Sequence, residues 1–450
     1  MSPLIILLIG IILVVGMIVV LKVNAFVSLI TSAMVISLLA PGNPEDKIVR
    51  VAREFGSVAG SIGIVIALAA VIGKCLMDSG AADRIVRSFL RLLGEKRAPA
   101  ALMASGFVLS IPVFFDTVFY LLVPLARSLW RRTRKNYVLY ITAIGTGASI
   151  THTLVPPTPG PLFIASTFGI DLGLMIIVGL LIGVPSALLA MLACVVINRL
   201  NDLPMRPYAN EAPGQPPPEE SAGPGLFVSV LPVIFPVLLI SANTVSKAMK
   251  WTRVTPCTDI IGNPNLALLF SAAIAMAVLF KYRRLTLRAL GRTTEEALLS
   301  GAVIVLITAA GGAFGAMLRA CEIQSLMDKW ISPEHGGAGF VILLSAFAMS
   351  SVLKFAQGSS TVAMITTATT LSAMGLTPQM LGFNLVYLAA VIAGGSVVGG
   401  WMNDSGFWVV ARMSGLTEVE TLKTFSIAAA LTGCGILIFS LLFAWLLPLV

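Results

Sequence analysis

The chain breaks its own hydrophobicity twice in a similar manner, about 240 residues apart. One break reads S-I-P-V-F-F-D over residues 110–116, the other S-S-V-L-K-F-A-Q-G-S-S-T over 350–361. Each lies between apolar pieces too short to cross a bilayer alone. Backbone that leaves the helix at membrane depth must be packed in protein or line a wet cavity, because lipid satisfies none of its N–H and C=O groups. Asp116 and Lys354 are likewise costly there. Interrupted segments in corresponding places of two halves are the mark of a secondary transporter with a binding site between its repeats.

The rest of the sequence fits an all-α polytopic membrane protein. Hydrophobic residues make up 57% and charged residues 11%, with a mean hydropathy of +0.95, whereas soluble domains are roughly 25% charged. The net charge of +9 does not point to nucleic acid, because the basic residues cluster in loops, where they signal topology. The N-terminus lacks a basic n-region and a cleavage site and reads as a retained first helix. Five scattered cysteines without C-x-x-C spacing suggest neither metal nor disulfide.

Apolar stretches at 3–21, 24–40, 57–77, 172–198, 225–246, 263–280, 298–318 and 421–448 are long enough to span. Two further spans, about 136–168 and 381–411, are interrupted by Gly- and Pro-rich stretches, and the two hairpins occupy about 98–128 and 338–374. A Pro/Gly/Glu-rich linker, 200–224, separates a first half (1–199) from a second (225–450). Their features repeat in order: span 24–40 with 263–280, Gly73 with Gly315, Asp116 with Gln357, and the break at 151–161 with that at 394–406. Five crossings plus one hairpin per half predict inverted repeats. The basic flanks of the first hairpin place it on the cytoplasmic side. Propagating through the spans puts about 20 loop Lys and Arg inside against about 8 outside, with both termini outside.

The second hairpin carries the clearest anion chemistry. A helix restarting after Gly358 presents unpaired N–H groups, with the Ser359, Ser360 and Thr361 hydroxyls beside them and Lys354 and Gln357 just before. In the first hairpin, Ser110 and Pro112 break the helix. Asp116 there can accept substrate hydroxyls, carry a proton or pair with Lys354. His152 lies in T-H-T-L-V-P-P-T-P-G-P, where Pro156, Pro157, Pro159 and Pro161 forbid a regular helix; its imidazole suits a proton relay. In the matching G-G-W-M-N-D-S-G, Asn403 is a substrate candidate, and Asp404 either contacts the proton or substrate or caps the next half-helix. Lys74 and Asp78, one turn apart, read as an interfacial ion pair, His335 as a surface residue, and the Gly-rich 309–316 patch as close helix packing.

Five strings, M-D-S-G-A-A-D-R-I (77–85), S-I-P-V-F-F-D (110–116), H-T-L-V-P-P-T-P-G-P (152–161), A-Q-G-S-S-T-V-A (356–363) and N-D-S-G-F-W (403–408), resemble the gluconate permease family of GntP-type gluconate:proton symporters, in the ion-transporter superfamily. The likeness runs over nearly the whole chain. It implies import of sugar acids across a bacterial inner (plasma) membrane by proton symport, and a homodimer with scaffold and transport domains moving as an elevator. Thr158 stands where the family often has a histidine, and Lys354 where an arginine is common. A point charge thus replaces a bidentate fork, which leaves room for another hydroxy or sugar acid.

The expectation is therefore a transporter and not an enzyme, with no cofactor beyond a coupling ion. Lys354 and the N–H groups after Gly358 would hold a carboxylate, while Asp116, His152, Asn403 and Thr158 meet hydroxyls. His152, Asp116 and Asp404 are the proton-coupling candidates. The alternative is a sodium-coupled carrier of another small hydroxy- or dicarboxylate.

Overall fold

The computed structural model describes residues 3–94, 97–206, 223–321, 338–401 and 404–450. Every regular element among them is a helix. The first half holds α1 (Pro3–Val15), α2 (Ala25–Leu39), α3 (Asp46–Asp78), α4 (Ala81–Leu93), α5 (Ala98–Leu109), α6 (Phe115–Thr133), α7 (Tyr137–Leu154), α8 (Pro159–Phe168) and α9 (Leu172–Leu200). The second holds α10 (Leu226–Ala248), α11 (Thr255–Ile261), α12 (Pro264–Arg283), α13 (Leu287–Arg319), α14 (Ala338–Gln357) and α15 (Ser360–Ser372). It continues with α16 (Pro378–Leu381), α17 (Leu385–Gly395), α18 (Ser405–Ser414), α19 (Glu418–Thr421) and α20 (Ile427–Leu446), the last two joined through a wide π turn at Leu422–Ser426. Seven described helical stretches are long and apolar enough to cross a bilayer. The protein is a multi-pass membrane protein.

All four expected interruptions are present, each for a local reason. Pro112 sits between α5 and α6, and Pro156 and Pro157, which have no N–H to give a helix, sit between α7 and α8. Gly358 separates α14 from α15 at φ +81°, a left-handed conformation open to glycine at no steric cost. Residues 396–401 leave the helix after α17, and Asp404 restarts it at α18 by accepting from Gly406 N at 2.9 Å. The capping reading of Asp404 is realised in this geometry.

Sequence underestimated two spans. The apolar windows 57–77 and 298–318 begin 11 residues after the helices that contain them (57 against 46, 298 against 287). Their charged first turns extend the same helices past the apolar belt, and Thr286 caps α13 by accepting from Ala289 N. The basic 78–98 stretch also folds, as the amphipathic α4, which buries Ala81, Ala82, Ile85 and Val86. His335 lies outside the described residues.

The two 33-residue helices α3 and α13 pack along one another. Around them the contacts exchange between halves: α2 rests on α13, and α12 on α3. After the breaks, α8 packs on α15, and α18 packs on α6. Small residues set these approaches. On α13, Gly311 faces Ile365, Gly312 faces Val58 and Gly315 faces Thr369, so the Gly-rich patch is a packing surface.

Two separate sets of arginine contacts tie neighbouring elements together. Arg283 Nε donates to the Asp78 carbonyl at 2.6 Å, joining the end of α12 to the end of α3. Arg206 grips Glu420 with both guanidinium ends at 2.6 Å, and Arg127 donates to the Arg206 carbonyl at 2.8 Å. The flank of the first hairpin, the start of the linker and the entry to the last span thus lie together.

Candidate functional site

The breaks supply most of the wall of one cavity of about 390 Å3. Residues 114–117 open α6, 358–361 open α15, and Val397, Gly400, Asp404 and Gly406 come from the α17–α18 break. Ser149, His152 and Thr153 reach it from α7, Ser300 and Ile304 from α13, and Phe425 and Ala429 from the last span. Both hairpins therefore face one space.

Three half-helices begin at this cavity. The first-turn N–H groups of α6 have no intrahelical partner, and no side chain caps them at Phe114. At α15, Ser359 Oγ accepts from Val362 N at 3.3 Å. Such helix starts favour negative charge.

Lys354 is the cavity's buried cation, 3% exposed. Its Nζ lies 2.6 Å from Asp404 Oδ2 and donates to the Gly358 carbonyl at 2.8 Å. The partner of Lys354 is therefore Asp404 and not Asp116. An ammonium has three N–H donors, so these two contacts leave one for a ligand. The second hairpin is further fastened to the α17–α18 break. Ser360 Oγ donates to Ser396 O at 2.8 Å, Trp401 Nε1 to Phe355 O at 2.7 Å, and the Phe355 and Trp401 rings stack at 5.1 Å.

Asp116 lies in the first turn of α6 and lines the cavity. His152 packs edge-on against Phe114 with centroids 6.2 Å apart, and its buried Nδ1 has no hydrogen-bond partner in the protein.

Of the residues expected at the site, Asp116, His152, Lys354, Gly358, Ser359, Ser360, Thr361 and Asp404 are brought together. Ser110 is fully buried with its hydroxyl unpartnered, outside the cavity lining. Thr158 is also outside the lining, and its hydroxyl donates to the Val155 carbonyl at 2.8 Å, satisfying the break itself. Gln357 closes α14, and Asn403 lies outside the described residues. Thr117, Ser149, Thr153, Ser300 and Phe425 were not anticipated. Within α7, Ser149, His152 and Thr153 are three and four residues apart and share one helix face, a pattern the sequence did carry.

Comparison with known proteins places these features. The pattern of the family described as GntP family permease matches residues 2–446. An uncharacterized permease of Haemophilus influenzae is 32% identical over 432 residues, covering 93% of this chain and 87% of that protein. A gluconate permease of Pseudomonas aeruginosa is 31% identical over 437 residues, covering 95% and 94%. Among solved structures, the YdaH transporter of Alcanivorax borkumensis superposes with a TM-score of 0.62 at 14% identity, covering 94% of this chain and 98% of that one, a likeness of fold.

Proposed function

The chain belongs to the GntP permease family, and from that premise we propose that it imports gluconate or a related sugar acid by proton symport. It is a membrane transporter and not an enzyme, in keeping with its permease relatives. A gluconate permease among those relatives supports the substrate class.

The observation that carries the proton-coupled reading is the charge count of the central cavity. Its charged lining groups among the described residues are Lys354, Asp404 and Asp116. Asp404 already neutralises Lys354 at 2.6 Å, so an ionised Asp116 leaves the cavity net negative and hostile to a carboxylate. A proton on Asp116 removes that obstacle. The cavity then offers an anion the third N–H of Lys354 and the opening turns of α6 and α15, while His152, Ser149, Thr153 and Thr361 stand along the wall for the sugar hydroxyls. Proton and substrate enter together because each makes the site acceptable to the other.

An inverted repeat is supported by the exchanged contacts of α2, α12, α8 and α18, and by one matching detail. Gly147 of α7 abuts the Met103 carbonyl of the first hairpin, and Gly395 of α17 abuts the Phe347 carbonyl of the second. A scaffold containing α3 and α13, with a transport body of hairpins and broken spans, is supported by the bonds that bind those latter parts to each other. Thr151 Oγ1 to Phe107 O at 2.6 Å does this in the first half, and Lys354–Asp404 in the second. An elevator movement fits that partition. The Lys and Arg content of the first hairpin's flanks supports a cytoplasmic position for them, with the termini opposite.

The test is uptake of labelled gluconate into proteoliposomes under an imposed inward proton gradient, with sodium replaced by choline. Accumulation should follow the pH gradient and survive the replacement. Uptake indifferent to pH but abolished in choline would overturn proton coupling, and failure to bind any sugar acid would overturn the substrate class.

A further inference from the structure

Beside the central cavity lies a second of about 380 Å3. The two share Phe114, Thr117 and Ser300 as a common wall. Beyond that wall the second is bounded by the end of α3 and by Glu296 and Ala297 of α13. It lies toward the basic face formed by Arg283 and the 284–292 segment, because the Asp78 carbonyl at its rim accepts from Arg283, the last residue of α12.

Among its described lining residues the one cation is Lys74. Its Nζ lies 3.3 Å from Asp78 Oδ2 on its own helix and 3.3 Å from Glu296 Oε2 on α13. These pairs differ in kind from Lys354–Asp404. All three side chains are between 36% and 65% exposed, and solvated pairs of this sort contribute about 0–1 kcal/mol. Either carboxylate can thus be displaced from the ammonium by another at little cost. Without Lys74, the passage would present two carboxylates and repel any anion.

We propose that this second cavity is the corridor between the central site and the basic face, and that Lys74 is its transient anion site. The carboxylate of a sugar acid replaces Asp78 or Glu296 at the Lys74 ammonium and is released when that carboxylate returns. The inference rests on the transport reading for its substrate. Its electrostatic core, an anion-selective corridor governed by Lys74, does not.

The test uses the full chain in proteoliposomes, with the exposed Cys257 and Cys434 replaced by serine and Ser300→Cys introduced at the shared wall. Labelling rates are compared for an anionic sulfonatoethyl and a cationic trimethylammonioethyl methanethiosulfonate reagent, applied from either side. From the basic face, Lys74→Gln should lower the anionic-to-cationic rate ratio by about fivefold or more, Glu296→Gln should raise it, and Lys74→Arg should restore it. In the same vesicles, Lys74→Gln should slow gluconate uptake by about tenfold while detergent-phase gluconate binding changes less than about twofold. A rate ratio unmoved by Lys74→Gln, or a thiol introduced by Ser300→Cys that does not react from the basic face, would overturn the corridor. Equal impairment by Glu296→Gln and Lys74→Gln would reduce Lys74 to a tie between α3 and α13. Protein with Lys74 intact that labels as expected yet binds no gluconate would count against the substrate alone.

Discussion

Lys354 Nζ and Asp404 Oδ2 are 2.6 Å apart although 50 residues separate them in the chain. The contact spans two interruptions: Lys354 lies one turn before Gly358, and Asp404 caps the helix that restarts at Ser405. The same carboxylate holds the lysine through one oxygen and the Gly406 amide through the other. One ion pair thereby fixes the geometry of two broken helices around the cavity.

Removing one partner should therefore do more than delete a charge. Lys354→Met or Asp404→Asn should each destabilise the protein by about 3–5 kcal/mol, the usual penalty for stranding a buried charge. The double variant should recover much of that stability without recovering uptake. Thermal unfolding in detergent, read beside proteoliposome transport, checks both halves of the statement.

Asp116→Asn mimics the protonated carboxyl permanently. It should still bind gluconate and catalyse exchange of internal for external substrate, but it should lose accumulation driven by a pH gradient. Counterflow and gradient-driven uptake, measured on the same vesicles, separate these outcomes; retention of gradient-driven accumulation would move the proton elsewhere.

His152→Phe preserves an aromatic ring against Phe114 and removes both ring nitrogens. Loss of a hydrogen bond to a sugar hydroxyl should weaken gluconate affinity by about 1–2 kcal/mol, a factor of about 5 to 30, with little change in melting temperature. Titration calorimetry on the purified protein is the direct measurement.

Gly395→Ala would bring a methyl group to 2.5 Å from the Phe347 carbonyl oxygen, and Gly147→Ala would drive one into the Met103 carbonyl. Each should destabilise by about 1–3 kcal/mol. Gly60→Ala, with nothing within 4 Å, should be neutral or stabilise by up to about 1 kcal/mol. Unfolding temperatures of the three variants provide the comparison.

The interruptions were legible because proline and glycine act locally. Pro112, Pro156, Pro157 and Gly358 each stand close to polar residues, and that company marks them, since Pro124, Pro185, Pro232 and Pro236 lie inside continuous helices. The partner of Lys354 did not follow, since Asp116 and Asp404 were both acidic residues near a break. The choice depends on how α14 packs on α17, which Gly395 sets through close backbone approach. Thr158 illustrates the opposite difficulty: a hydroxyl in a polar break can serve the break and never reach a ligand. Ser300 carries no local mark at all. It donates to the Ala297 carbonyl like many helical serines, and only the crossing of α13 with α3 puts it at the wall between two cavities.

The exchange of neighbours between halves bears on how the polypeptide acquires its shape. When residues 1–199 have left the ribosome, α3 still lacks both α12 and α13, and α8 lacks α15. Their apolar faces must wait, shielded by lipid or by helper proteins, until the later helices arrive. Two separately synthesised fragments, divided between Arg206 and Leu226, should accordingly be unstable alone yet complement each other when made in one cell.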